Sequence, residues 1–129
     1  MPVTYQIDRA TRLIRTRCIG NVSFEEVVGH FRELECDPAL PAQVDVLLDL
    51  TEMSSIPESD QIRSVARVVE RFQQRLKWGF CAIVASRDVL FGMSRMFQVF
   101  VEAHFADSNV FRELDQAEHW LATRRTPNG

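Results

Sequence analysis

The chain has 129 residues, 46% of them hydrophobic and 26% charged, with a formal net charge of −3. That is the length of one domain with enough apolar material for a real core, and the acidic balance excludes a general electrostatic pull toward nucleic acid or an anionic membrane surface. No apolar run approaches the ~18 residues of a membrane helix, and Met1-Pro2-Val3-Thr4-Tyr5-Gln6 lacks the basic and apolar regions of a signal peptide, so a cytoplasmic location without membrane insertion is expected.

Val3, Tyr5 and Ile7 alternate with Thr4 and Gln6, which predicts a strand. After the polar link Asp8 to Thr11, Leu13 to Ile19 alternates again, with Ile14, Thr16 and Cys18 on one face and Arg15 and Arg17 on the other. Two such strands so close together predict an antiparallel hairpin, whose charged face suits a sheet edge. Gly20-Asn21 ends it, and Ser23-Phe24-Glu25-Glu26 reads as a capping box opening a helix with Phe24, Val27, Val28, Phe31 and Leu34 on one face. Asp37-Pro38 stops that helix, because the residue before proline is pushed out of the α region. After a loop to Gln43, Val44 to Leu50 is apolar with little alternation, the pattern of a strand covered on both faces.

The polar turn Thr51 to Asp60 follows, with Ser55 and Ser59 both placed to cap the next helix. That helix carries the stripe Ile62, Val65, Ala66, Val69, Phe72 and Leu76. Trp78 to Ala85 reads as a second buried strand, and Arg87-Asp88 leads into a third helix over roughly Val89 to Phe105, with Val89, Met93, Met96, Phe97 and Phe100 inward. Asp107-Ser108-Asn109 reads as a turn and Val110-Phe111 as a short last strand. Asp115 to Glu118 is a second capping box, opening a helix with Ala117, Trp120 and Leu121, and Arg124 to Gly129 is expected to be a frayed tail. The whole chain, 1–129, is thus read as a single α/β domain in the order β-β-α-β-α-β-α-β-α, a mixed, mostly parallel sheet with an antiparallel N-terminal hairpin.

That order of elements, with Val46-Leu47-Leu48-Asp49-Leu50-Thr51 running through a polar turn into a helix and Ala85-Ser86-Arg87-Asp88-Val89-Leu90-Phe91-Gly92-Met93 opening the third, resembles the STAS-like fold of the anti-sigma-factor antagonists, the SpoIIAA-like group of bacterial domains with its STAS/Sec14-like relatives. In regulatory members of that group, a serine at the start of the helix after the central strand is phosphorylated to break partner binding. Aligned on Leu48-Asp49-Leu50, this chain has Glu58 at that position and Ser59 one place later. A fixed carboxylate carries less charge and fewer acceptors than a phosphate, and Ser55, Glu58 and Ser59 equally read as ordinary chemistry of a helix start.

Other constellations are weaker. Gly92-Met93-Ser94-Arg95-Met96 begins like a nucleophile elbow but lacks the second glycine and sits within a helical pattern. His30, His104 and His119 have no ligand spacing with one another or with Cys18, Cys36 and Cys81, so no metal and no cofactor is expected; the three cysteines, odd in number and without a CxxC, read as reduced thiols. His104 falls on the Met93, Phe97 and Phe100 side of the third helix, where it would line an apolar pocket or be satisfied by backbone. Arg63, Arg67, Arg71 and Arg75 form a basic stripe that calls for acidic company, with Glu52, Glu58 and Glu102 as candidates within the chain, or marks an anionic contact. Phe91, Val99 and Phe105 fall outside the inward arc, which points to a neighbouring helix, an apolar ligand or a dimer surface, and a symmetric homodimer is expected.

The expectation is a non-catalytic regulatory module of unknown partner, working through Ser54, Ser55, Glu58, Ser59 and Asp60 at the turn and the start of the second helix. The alternative is a binder of a small apolar or amphipathic ligand in the Sec14-like manner, for which an apolar cavity opening near His104 would speak.

Overall fold

The computed structural model describes residues 2–125. β1 (Val3–Asp8) and β2 (Leu13–Gly20) form the antiparallel hairpin, Val3 opposite Cys18 and Asp8 opposite Leu13. Its link is held by Asp8 Oδ1, which accepts the N–H groups of Ala10 and Thr11 at 3.0 and 3.3 Å. α1 (Phe24–Glu35) starts on the capping box: Ser23 Oγ accepts the Glu26 N–H at 3.2 Å and Glu26 Oε1 accepts the Ser23 N–H at 2.8 Å. β3 (Gln43–Met53), α2 (Ser59–Phe72), β4 (Lys77–Val84), α3 (Asp88–Val101), β5 (Asp107–Phe111) and α4 (Leu114–Arg125) complete the predicted order. Among the described residues no helix is long and apolar enough to cross a membrane.

The five strands lie in chain order, β1-β2-β3-β4-β5, and every pair after the hairpin is parallel. Right-handed crossovers that always step the same way put their helices on one face. Leu34 of α1, Val69 and Phe72 of α2, and Leu90 and Val101 of α3 accordingly pack with Ile14, Cys18, Val44, Leu50 and Ile83 in one core. α4 covers the other face, with Ala117 and Leu121 against Leu13, Leu47, Ala82 and Val84. Both faces of β4 are therefore dry, which is why it reads as an unbroken apolar run. Three ion pairs fasten α4 to the sheet: Arg125 Nε to Asp45 Oδ2 at 2.8 Å, Arg124 Nη2 to Asp107 Oδ2 at 3.0 Å, and Arg15 Nη2 to Glu118 Oε1 at 2.5 Å.

The structure corrects several sequence readings, each for a local reason. α4 begins at Leu114, so Asp115 lies inside the helix and Glu118 pairs with Arg15 instead of closing a capping box. Arg124 and Arg125, read as tail, are the last residues of α4, held by their carboxylates; the remainder of that expected tail, 126–129, lies outside the described residues. Asp107 to Asn109 is strand and not turn, because β4 supplies a ladder that outweighs polar composition. The side chains of Asp107 and Asn109 accept the N–H groups of Ser108 and Val110, both at 2.9 Å, and Gln98 Nε2 donates to the Ser108 carbonyl at 2.7 Å.

α3 stops at Val101, short of the predicted Phe105. Its fully buried residues are Leu90, Ser94 and Val101; of the predicted arc, Phe97 and Phe100 pack half-buried against the core, whereas Val89 is 58% exposed. A helix apolar on most of its circumference does not announce which arc faces the core.

Candidate functional site

α1 meets the sheet through a single fully buried residue, Leu34, while Phe24, Val27, Val28 and Phe31 remain half-buried. The helix stands off the sheet, and beneath it lies a cavity of about 190 Å³. Its floor is the inward-pointing set of two neighbouring strands, Ile14, Thr16 and Cys18 of β2 with Val46, Leu48, Leu50 and Met53 of β3. Its roof is Phe24, Val27, His30 and Phe31 of α1 with Gln61, Ile62 and Val65 of α2, and Trp78 and Phe105 line it deeper in the core. Ser23, an exposed lining residue, marks where it reaches the surface. Among the described residues no Asp, Glu, Lys or Arg lines it. Protein interiors close-pack to near-crystalline density, and an apolar void of ~150 Å³ takes up benzene, so a void of this kind has the size and character of a binding site.

His30 and Gln61 are the polar residues of the roof, and Gln61 Oε1 is already taken by the Glu58 N–H. The His30 ring packs edge-on to Tyr5 at 5.2 Å between centroids and against Phe31 at 5.4 Å. Its Nδ1 is buried and finds no hydrogen-bond partner among the described residues. Burial pushes the imidazole down to about 4 from its usual 6.5, so it stays neutral in the folded chain. The unfolded chain binds that proton near pH 6.5 and the folded one only near 4, so stability is expected to fall as the pH drops between those values and to level off below them. The slope reaches at most ~1.4 kcal/mol per pH unit. Urea unfolding across that range should show the loss in the native chain and not in His30→Leu; an equal slope in both would assign it to carboxylates.

The two cavity thiols are held protonated. Burial, with the Asp49 carboxylate adding to it, pushes Cys18 up to about 11, and burial alone pushes Cys81 up to about 12. Cys36 is exposed and lies away from the cavity lining.

At the C-terminal end of β3 the predicted turn residues separate in role. Ser55 Oγ accepts the Val22 N–H at 2.9 Å and donates to the Val22 carbonyl at 3.3 Å, which ties the turn to the start of α1. Ser54 Oγ bonds Asn21 Oδ1 at 3.3 Å. Neither Ser55 nor Ser59 caps α2: the residue before the helix is Glu58, extended at φ −82° and ψ 159°, and Ser59 is the first helical residue. Gln61 Oε1 accepts the Glu58 N–H at 2.9 Å, and Asp60 lies exposed in the first turn. Pro57 and Gln61 line the cavity, so the turn and the cavity share a wall.

The arginine stripe is spread out. Arg63 lies over the Phe100 ring at 5.2 Å, Arg67 and Arg71 are exposed, and Arg75 donates to the Glu35 carbonyl at 2.7 Å with the Glu35 carboxylate at 4.0 Å. Of the acids the sequence suggested, Glu52 pairs with Arg17. Glu70, on α2, lies 4.0 Å from His104 Nε2. His104 sits in the turn after α3, beside Gln73, Lys77 and Ala106, and is not part of the cavity. Phe105 follows it into the core, 5.3 Å from Trp78. Phe91 lies under the Arg112 guanidinium at 4.2 Å, and Val99 is 64% exposed.

The structure therefore does not join the turn, the stripe and the α3 surface into one site. It assembles a cavity from residues that the sequence reading treated as core, and its histidine is His30 and not His104. The available signal is that His30 lies three residues after Val27 and one before Phe31, within the inward stripe of α1. A family model described as SpoIIAA-like matches residues 13–122, from β2 through α4. No curated protein matches the chain.

Proposed function

The chain belongs to the SpoIIAA-like family, and on that premise we propose that it is a non-catalytic binding module of the STAS type whose occupant is a small apolar molecule held between the sheet and α1. The observation that carries this reading is the cavity of about 190 Å³ without a charged residue in its lining. The non-catalytic reading is supported by two lining thiols that burial keeps protonated and by His30 Nδ1, which has no hydrogen-bonded partner among the described residues. A partner surface at the turn is the second reading, favoured by Ile56, 39% exposed beside exposed Glu58, Ser59 and Asp60. The two are compatible, since Pro57 and Gln61 belong to both the turn and the cavity wall.

Benzene tests the first reading. A ligand that binds only the folded chain raises Tm by mass action, and near-saturating benzene is expected to raise it by about 2–4 °C. Cys18→Phe, which places a ring where the buried thiol lines the floor, should abolish the rise. No rise in the native chain would sink the reading, and an equal rise in Cys18→Phe would move the binding elsewhere.

A further inference from the structure

We infer that the occupant is a neutral, elongated lipophile bearing one hydroxyl-type group, and that His30 Nδ1 is the atom that meets that group; the inference rests on the cavity reading above. Nδ1 is buried without a partner among the described residues, whereas buried polar atoms are as a rule hydrogen-bonded. The ring cannot swing to water without giving up its contacts with Tyr5 and Phe31. A bound hydroxyl supplies the missing bond in either tautomer, because it can donate to a bare nitrogen or accept from a protonated one.

Charge narrows the class further. Among the described residues no charged side chain lines the cavity, and the imidazole is neutral at physiological pH. A carboxylate or ammonium drawn inside would lose its hydration with no counter-charge to replace it. Shape supplies the last constraint. The floor follows β3 from Val46 to Met53, a run of roughly 20 Å at the usual strand rise. A lining spread along that run, with a volume of about 190 Å³, suits a chain laid along the strand.

The test uses hexane, 1-hexanol and hexanoate near neutral pH, with Trp78 fluorescence and amide NMR shifts as readouts. 1-Hexanol is expected to bind the native chain about tenfold more tightly than His30→Leu, the value of one hydrogen bond. Hexane should bind the two chains alike, and hexanoate should bind the native chain about tenfold or more weakly than the alcohol. His30→Gln, which keeps a polar atom at the roof, should retain most of the affinity for the alcohol, and this guards against a folding defect in His30→Leu. Equal binding of the alcohol to the native chain and His30→Leu would remove His30 from the inference while leaving the cavity intact. Hexanoate binding as well as the alcohol would overturn the neutral class. Failure of both hexane and 1-hexanol to bind would overturn the cavity reading itself.

Discussion

Trp78→Ala is expected to cost the fold about 3–5 kcal/mol, the range for removing a large aromatic from a packed core. Trp78 is 4% exposed and forms the middle of a row of rings, 5.9 Å from Phe72 and 5.3 Å from Phe105. Its indole also has a specific partner. α2 tightens at its end, where the Gln73 N–H turns to the Glu70 carbonyl at 3.1 Å, and Trp78 Nε1 donates to the Val69 carbonyl at 2.9 Å. Alanine would therefore empty the deep end of the cavity and leave a buried carbonyl without its donor. Urea unfolding would measure the loss, with Trp78→Phe as the reference: it keeps most of the ring and forfeits the N–H, for about 1–3 kcal/mol. A cost for Trp78→Ala below that of Trp78→Phe would mean that the row of rings does not hold this end of the core.

Gly79→Ala, one residue on, is expected to be damaging for a different reason. A Cβ on Gly79 would lie 2.0 Å from Asp45 Oδ1 and 3.3 Å from the Val44 carbonyl. Asp45 cannot simply step aside. The register between β3 and β4 shifts between Val44 and Val46, and in that break Asp45 Oδ1 accepts the Phe80 N–H at 2.8 Å while Oδ2 holds Arg125 at 2.8 Å. The carboxylate thus repairs the sheet on one side and anchors α4 on the other. Displacing it strands a backbone donor and a partly buried arginine, for about 3 kcal/mol or more in total. A double-mutant cycle isolates the cause: in an Asp45→Ala background, Gly79→Ala should cost under about 1 kcal/mol. If it costs the same in both backgrounds, the clash with Asp45 is not the mechanism.

Most of the architecture is legible because the signals are local and repeated. Alternation at Val3 to Ile7 and Leu13 to Ile19, the capping box at Ser23, and the apolar run at Val44 to Leu50 each mark their element locally. Boundaries and faces failed where a distant partner decides. Asp107 to Asn109 becomes strand because β4 lies alongside, and α4 runs on to Arg125 because Asp45 and Asp107 are waiting for its arginines. The cavity was illegible for a deeper reason. Phe24, Val27 and Phe31 follow the same stripe whether a helix is pressed onto a sheet or stands away from it, so periodicity reports which face is inward and not how closely it packs. The turn was legible as a feature but not in its bonding, since the Ser55 hydroxyl is taken up by Val22, 33 residues away.

The matching of strand order to chain order has a consequence for how the protein is made. Every strand pairs with the one synthesised just before it, so no strand has to wait for a distant partner and each closure spans only one intervening connection. Loop-closure entropy grows with loop length, so closing one crossover at a time costs less than pairing strands further apart in sequence, and the hairpin closes faster than any of the parallel pairs. The sheet can therefore lengthen strand by strand as the chain leaves the ribosome, growing from the β1–β2 hairpin. α4 is the exception: Glu118 pairs with Arg15 of β2 and Arg125 with Asp45 of β3, both far earlier in the sequence. The docking of α4 on Leu13, Leu47, Ala82 and Val84 is therefore the long-range step that seals the far face of the sheet.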